Sequence, residues 1–133
     1  MSVDSPNLEG LDPWAFVPRK VEKPWGYELI WAEAERYVGK VLFVRAGQSL
    51  SLQFHRVKDE SWLIHSGRAK IEMGNPGDKT PNTEVVGAGA AFRMRPGTIH
   101  RVTAIEDTTI IEVSTPHLED VVRLEDNYGR VEP

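Results

Sequence analysis

The sequence predicts an all-β fold, a sandwich or barrel of short strands, on three observations. Runs of β-branched and aromatic residues recur at short intervals from Tyr27 onward. Each run is closed by Gly, Pro, Asp or Thr. No amphipathic helical period occurs before Leu118.

The elements follow in chain order. Residues 1–20 read as an extended N-terminal arm punctuated by Pro6, Pro13 and Pro18, with Trp14, Phe16 and Val17 as anchors on the domain or on a partner subunit. Residues 21–133 read as a single domain. Its strands are "YELIW", "YVGKVLFV", "SLSLQFH", "SWLIHSG", "AKIEMG", "TEVV", "AAFRM", "HRVTAI" and "TTIIEVST", about nine in all. Gly67 between "SWLIHSG" and "AKIEMG" reads as a hairpin signal, and "NPGDKTPN" as a loop. "LEDVVRLED" is expected to hold one helical turn or irregular structure.

Composition narrows the function classes. The chain of 133 residues is long enough for one compact domain that buries roughly two-thirds of its unfolded surface. A net charge of −4, with no Lys/Arg block, argues against a nucleic-acid partner. The absence of cysteine removes disulfides, thiolate catalysis and Cys-ligated zinc. The N-terminus lacks a basic region followed by an apolar run, and no stretch approaches the roughly 20 apolar residues of a membrane helix. A cytoplasmic protein without a membrane partner is expected.

The chemistry concentrates in "GQSLSLQFHRVKDESWLIHSG", Gly47 to Gly67. Strand alternation sets Ser51, Gln53 and His55 on one face and Leu50, Leu52 and Phe54 on the other. For that strand alone, a solvated polar face explains the pattern as well as a site does. Glu60 on the next strand and His100 in "GAGAAFRMRPGTIHRVTA" enlarge the set to two imidazoles, a carboxylate and an amide. Those donors suit zinc, manganese, iron, cobalt or nickel. The neutral amide leaves the site at plus one with a divalent ion. His65 has the opposite parity to Glu60 and is expected to point away, and His117 beside Pro116 reads as a surface residue.

These residues carry a resemblance. Gly47, Gln53, His55, Glu60 and Gly67 match G-x5-H-x-H-x4-E-x6-G at every spacing, with Gln53 in place of the first His. Gly89, Gly97 and His100 match G-x5-P-x-G-x2-H, with Arg95 at the usual proline. Together they resemble the two-part motif of the cupin superfamily, which implies a double-stranded β-helix, or jelly-roll barrel. "KPWGYELI", "LSLQFH", "ESWLIHSGRAKI" and "EDVVRLEDNYGR" are similar to the C-terminal cupin domain of type II mannose-6-phosphate isomerases, from about residue 21 to the end. In that family Gln takes the first ligand position. The type II pattern is nearer to Q-x-H-x-H-R-x-E-H-W, so Val57, Lys58 and Ser61 are departures in "QFHRVKDESW".

The resemblance implies one divalent metal ion, zinc first, on Gln53, His55, Glu60 and His100. It implies a sugar-phosphate isomerase interconverting mannose 6-phosphate and fructose 6-phosphate. Lys58 would stabilise or shuttle charge, and Arg130 would join it as a catalytic residue. Ser51, Arg95, Arg123 and Tyr128 would bind substrate, Arg because its guanidinium meets phosphate bidentately. Trp62 would form cavity wall or core. Bifunctional relatives also carry a nucleotidyltransferase domain, for which this chain has no room, so GDP-mannose synthesis is not expected of it. A homodimer is implied, with the arm crossing between subunits. Two other classes stand beside the isomerase: a non-catalytic sugar or nucleotide-sugar binding cupin, and another metal-dependent cupin enzyme such as an oxygenase.

Overall fold

The computed structural model describes residues 7–131. Eleven strands form: β1 (Arg19–Lys23), β2 (Gly26–Glu33), β3 (Val38–Val44), β4 (Leu52–Phe54), β5 (Glu60–Ser66), β6 (Arg68–Gly74), β7 (Asn82–Gly87), β8 (Ala91–Met94), β9 (Ile99–Ala104), β10 (Thr108–Ser114) and β11 (Val122–Glu125). They make a six-stranded sheet ordered β1-β2-β3-β10-β5-β8 and a five-stranded sheet ordered β11-β4-β9-β6-β7. Every pairing is antiparallel. The two sheets face each other as a jelly-roll barrel, the cupin architecture. Among the described residues no helix is long and apolar enough to cross a membrane.

Alternation decides what enters the barrel. Val38, Lys40, Leu42 and Val44 of β3 share the inner face with Thr108, Ile110, Glu112 and Ser114 of β10, and all eight are buried. Leu42, Trp62, Ile64, Ile71, Met94, Val102 and Ile110 form the centre of the apolar core. Each such side chain contributes about 1.5–3 kcal/mol by leaving water. The polar inner residues gather instead around one cavity, which fixes where chemistry can occur.

Four expectations need correction. Residues 1–6 of the arm lie outside the described residues, and residues 9–14 of its remainder form turns rather than an extended run. Leu11 N donates to Leu8 O at 2.7 Å and Trp14 N to Leu11 O at 2.9 Å, closing turns that Gly10 (φ +83°) and Pro13 favour. The strand β1 already begins at Arg19, and Trp14, Phe16 and Val17 stand exposed. Second, "SLSLQFH" yields strand only over Leu52–Phe54, joined by a bridge from Ser49 to Thr103. Third, the expected helical turn is the strand β11, which pairs its Val122 with Phe54 and Arg123 with Gln53. The open edge of β4 offers a ladder, and consecutive valines favour strand.

Fourth, Gly67 makes no hairpin. Its two flanking strands lie in different sheets: β5 pairs with β10 and β8, whereas β6 pairs with β9 and β7. Gly67, at φ +98°, instead carries the chain from one sheet to the other. A Cβ there would sit 2.3 Å from the Asp107 carbonyl oxygen, so the requirement for glycine is both conformational and steric. Gly67→Ala is expected to lower the free energy of unfolding by about 2–3 kcal/mol, measured by urea denaturation with an unchanged m-value.

Candidate metal centre

His55 follows β4, Glu60 opens β5 and His100 lies in β9, so the three come from both sheets. Nε2 of His100 lies 3.1 Å and Nε2 of His55 3.4 Å from Glu60 Oε1. The three ligating atoms fall within 4.8 Å of one another, and all three residues are buried. Neither imidazole Nε2 nor Glu60 Oε1 has a hydrogen-bond partner. Buried polar atoms left this way cost about 1–3 kcal/mol each, more when charged. Their convergence fits a metal cation, which would satisfy all of them at once.

The other ring nitrogens are already engaged. His100 Nδ1 donates to the Thr98 carbonyl at 2.9 Å, and His55 Nδ1 donates to the Asp120 carbonyl. Each bond directs the free lone pair of Nε2 inward, the outer-sphere arrangement that orients metal-binding histidines. The β4–β9 ladder pairs Gln53 with His100, and the Gln53 amide oxygen accepts from Ser51 Oγ at 2.7 Å. Gln53 and Ser51 line the same cavity as His55 and Glu60.

Lys58 is buried with its Nζ 2.7 Å from Glu60 Oε2 and 3.5 Å from Glu112 Oε2. Burial opposes its charge, but the carboxylates of Glu112 and Glu60 outweigh that and raise its pKa. Burial likewise works to raise Glu60, yet the two imidazoles and Lys58 hold it well below the usual carboxylate range. Glu112 moves the other way: burial first, then the neighbouring Glu60 charge, pushes it up.

Four charged residues in this cavity were not singled out from the sequence. Glu112 accepts from the Trp62 indole at 3.0 Å and stands 3.8 Å from Lys40 Nζ. Lys40 bonds Glu28 at 3.2 Å, and Lys23 reaches Glu28 at 4.0 Å. The signal that could have found Lys40 and Glu112 is parity, because each occupies an inward position in an otherwise apolar alternation.

A fifth omission is Asp120. Besides its carbonyl on His55, its carboxylate accepts from the backbone N–H groups of Arg56, Val57 and Lys58 at 3.1, 2.7 and 2.9 Å. Burial would raise its pKa, but those three donors hold it below the ordinary value. One residue thus pins the loop that carries Lys58 between the ligands His55 and Glu60. Its position in "LEDVVRLED", more than sixty residues away in sequence, leaves no local trace of this role.

The remaining expected residues divide. Arg123 lines the cavity, and its Nε is buried with no partner. Arg130 also lines it, but its guanidinium is held by Asp126 at 2.7 and 3.0 Å and lies over the Tyr128 ring. Arg130 therefore clamps the C-terminal segment. Tyr128 packs against the core and donates to Gln48 Oε1 at 2.6 Å, so the structure makes it packing rather than cavity wall. Arg95 is exposed beside Met73, Asn75 and Thr98, in a separate surface depression just after β8 ends at Met94. Trp62 is both core and cavity wall, edge-on to His100. His65 and His117 are exposed, away from the cluster.

Such a barrel with an inward His–Glu–His cluster defines a cupin with a candidate metal centre. The chain belongs to the family described as mannose-6-phosphate isomerase C-terminal, whose model matches residues 15–126. It is 34% identical over 122 residues to the mannose-1-phosphate guanylyltransferase ManC of Salmonella typhimurium, covering 85% of this chain and 23% of that protein. It is 36% identical over 124 residues to the mannose-1-phosphate guanylyltransferase of Escherichia coli, covering 86% and 24%. The chain thus spans about a quarter of the length of these relatives. Among solved structures it is similar to the capsular polysaccharide assembling protein CapF of Staphylococcus aureus, with a TM-score of 0.69, 17% identity and coverage of 87% and 35%. It is also similar to the oxalate decarboxylase of Bacillus subtilis, a protein with Mn(II) centres, at a TM-score of 0.66, 19% identity and coverage of 79% and 29%.

These relatives overturn the expected activity. They are named for guanylyl transfer to mannose 1-phosphate, not for aldose–ketose isomerisation, so membership of the family does not bring isomerase activity to this chain.

Two outcomes follow from the geometry. Asp120→Ala is expected to weaken metal binding by about 10–100-fold, measured by competition with a chromophoric chelator, since the His55 loop loses its anchor. Glu112→Ala should lower the free energy of unfolding by about 3–5 kcal/mol in thermal or denaturant unfolding, because Lys58 and Lys40 lose their shared buried counter-ion.

Proposed function

We propose that this chain is a metal-binding cupin domain whose cavity holds a phosphorylated mannose, as part of an enzyme of activated-mannose metabolism. The observation that carries the reading is the cavity itself. His55 and Glu60 line it with unpartnered ligand atoms, His100 meets Glu60 just behind them, and cationic Lys23, Lys40, Lys58 and Arg123 line its walls. Glu28, Glu60 and Glu112 offset most of that charge, while a divalent ion would add to it. The balance favours an oxygen-rich dianion over a neutral sugar.

His55, Glu60 and His100 would hold the ion with Gln53 as a neutral fourth donor. Nitrogen and oxygen donors of this kind suit zinc, and equally manganese, cobalt, nickel or iron. When bound, the ion supplies a Lewis-acid hold on ligand oxygens. Arg123 directs its free Nε–H toward a phosphate oxygen, a charge-assisted bond. Lys58 has three N–H donors; Glu60 and Glu112 occupy two, which leaves one for a sugar oxygen. Leu118 and Val121 add apolar wall to the cavity. The names of the relatives support mannose phosphates as the ligand class, and a phosphorylated metabolite is consistent with a cytoplasmic setting.

Calorimetry on protein of verified metal content tests the reading. Mannose 1-phosphate or mannose 6-phosphate is expected to bind in the micromolar range, with unphosphorylated mannose at least about tenfold weaker, a difference of about 1.4 kcal/mol. His55→Ala and His100→Ala should each abolish stoichiometric metal by elemental analysis, and phosphate-sugar binding with it. Metal-loaded protein that binds neither mannose phosphate would sink the proposal.

A further inference from the structure

Residues 117–130 supply one wall of the cavity, yet every residue among them is exposed or half-buried. Leu118, Val121, Arg123 and Arg130 contribute to that wall. The single strand of the segment, β11, is a sheet edge that pairs with β4 alone, with a register shift after Arg123. Segments with so little burial open at much lower free energy than the whole domain.

The polar contacts that hold this segment fall mainly on one stretch of the barrel. Asp120 grips the amides of Arg56, Val57 and Lys58 and, through its carbonyl, the ring of His55. Further on, Asn127 donates to Ser49 Oγ at 2.9 Å and Tyr128 to Gln48 Oε1 at 2.6 Å. These partners all lie between Gln48 and Lys58, the stretch that carries the ligand His55. Glu125 adds an ion pair with Arg101 at 3.6 Å.

We infer that residues 117–130 are a strap that the metal closes, and that closure completes the anion-binding wall of the cavity. The link is the His55 ring. A neutral imidazole carries one proton, so a cation on Nε2 places it on Nδ1, where the Asp120 carbonyl accepts it. Without the cation the proton is shared with Nε2, 3.4 Å from Glu60 Oε1, and that tautomer loses the Asp120 bond. Closure also has a cost, since it buries Arg123 Nε with no partner. Arg123 pairs with Gln53 across β11 and β4, so its guanidinium reaches the cavity only with the strap in place. The metal therefore acts ahead of any anion that Arg123 receives. The coupling is reciprocal: a closed strap raises metal affinity by the factor by which the metal favours closure. This inference rests on the metal centre assigned above and not on the mannose phosphate.

Hydrogen exchange of the full chain, followed by mass spectrometry with and without stoichiometric zinc, tests this. Zinc is expected to slow exchange about tenfold in peptides spanning residues 117–130. Exchange in β7, the opposite and equally exposed edge of the same sheet, should not change. Asp120→Ala at saturating zinc, with its metal content verified, should lose most of the slowing. Zinc uptake with no slowing at 117–130, or with equal slowing in β7, overturns the inference and leaves the metal centre standing. An Asp120→Ala variant that keeps the full slowing overturns it too. Protein that takes up neither zinc nor manganese by elemental analysis overturns the metal centre and the strap together.

Discussion

A carboxylate that must stay ionised inside a barrel organises this protein. Glu60 is 2% exposed, and burial alone would drive it toward its neutral form. It remains charged because His55, His100 and Lys58 surround it from three directions. No single sheet could supply that enclosure. His55 and His100 come from the five-stranded sheet, whereas Glu60 comes from the six-stranded sheet. The architecture and the site are therefore one problem, since the sheets must close before the ligands can meet.

Compensation for that charge spreads outward through the cavity wall. Lys58 answers Glu60, Glu112 answers Lys58 and Lys40, and Glu28 answers Lys40 before Lys23 ends the series. Alternating signs keep each buried ion near a counter-ion, which limits a desolvation penalty of several kcal/mol per ion. Such a series adds little net stability, but it holds Lys58 at a defined point beside the ligand cluster. Asp120 does the same for the backbone of that loop. Ion pairs set the side chain, and three N–H bonds set the main chain.

Much of the centre was legible because it is periodic. A two-residue alternation and a fixed glycine-bounded spacing identify Gln53, His55 and Glu60 as neighbours without any coordinates. The same parity marks Lys40 and Glu112 as inward, though reading it required distrust of apolar strands that carry one charge. What failed was pairing. Gly67 looks like a hairpin turn, but it crosses between sheets, because the strands on either side find better partners elsewhere in the chain. Arg95 and Tyr128 failed for a related reason: they lie in the loops after β8 and β11, and proximity in a motif does not say where a loop side chain points. Activity failed as well, since the same domain accompanies relatives named for guanylyl transfer.

By itself the sequence determined the all-β class, nine of the eleven strands to within a few residues, the family and the inward positions of Gln53, His55, Glu60 and His100. These depend on local alternation and turn chemistry, which short stretches of chain encode. Only the tertiary structure decided that β11 completes the second sheet, that Asp120 reaches the His55 loop and that Arg123 rather than Arg95 faces the cavity. Each of these is a contact between segments far apart in the chain, set by which strands pair once the barrel closes.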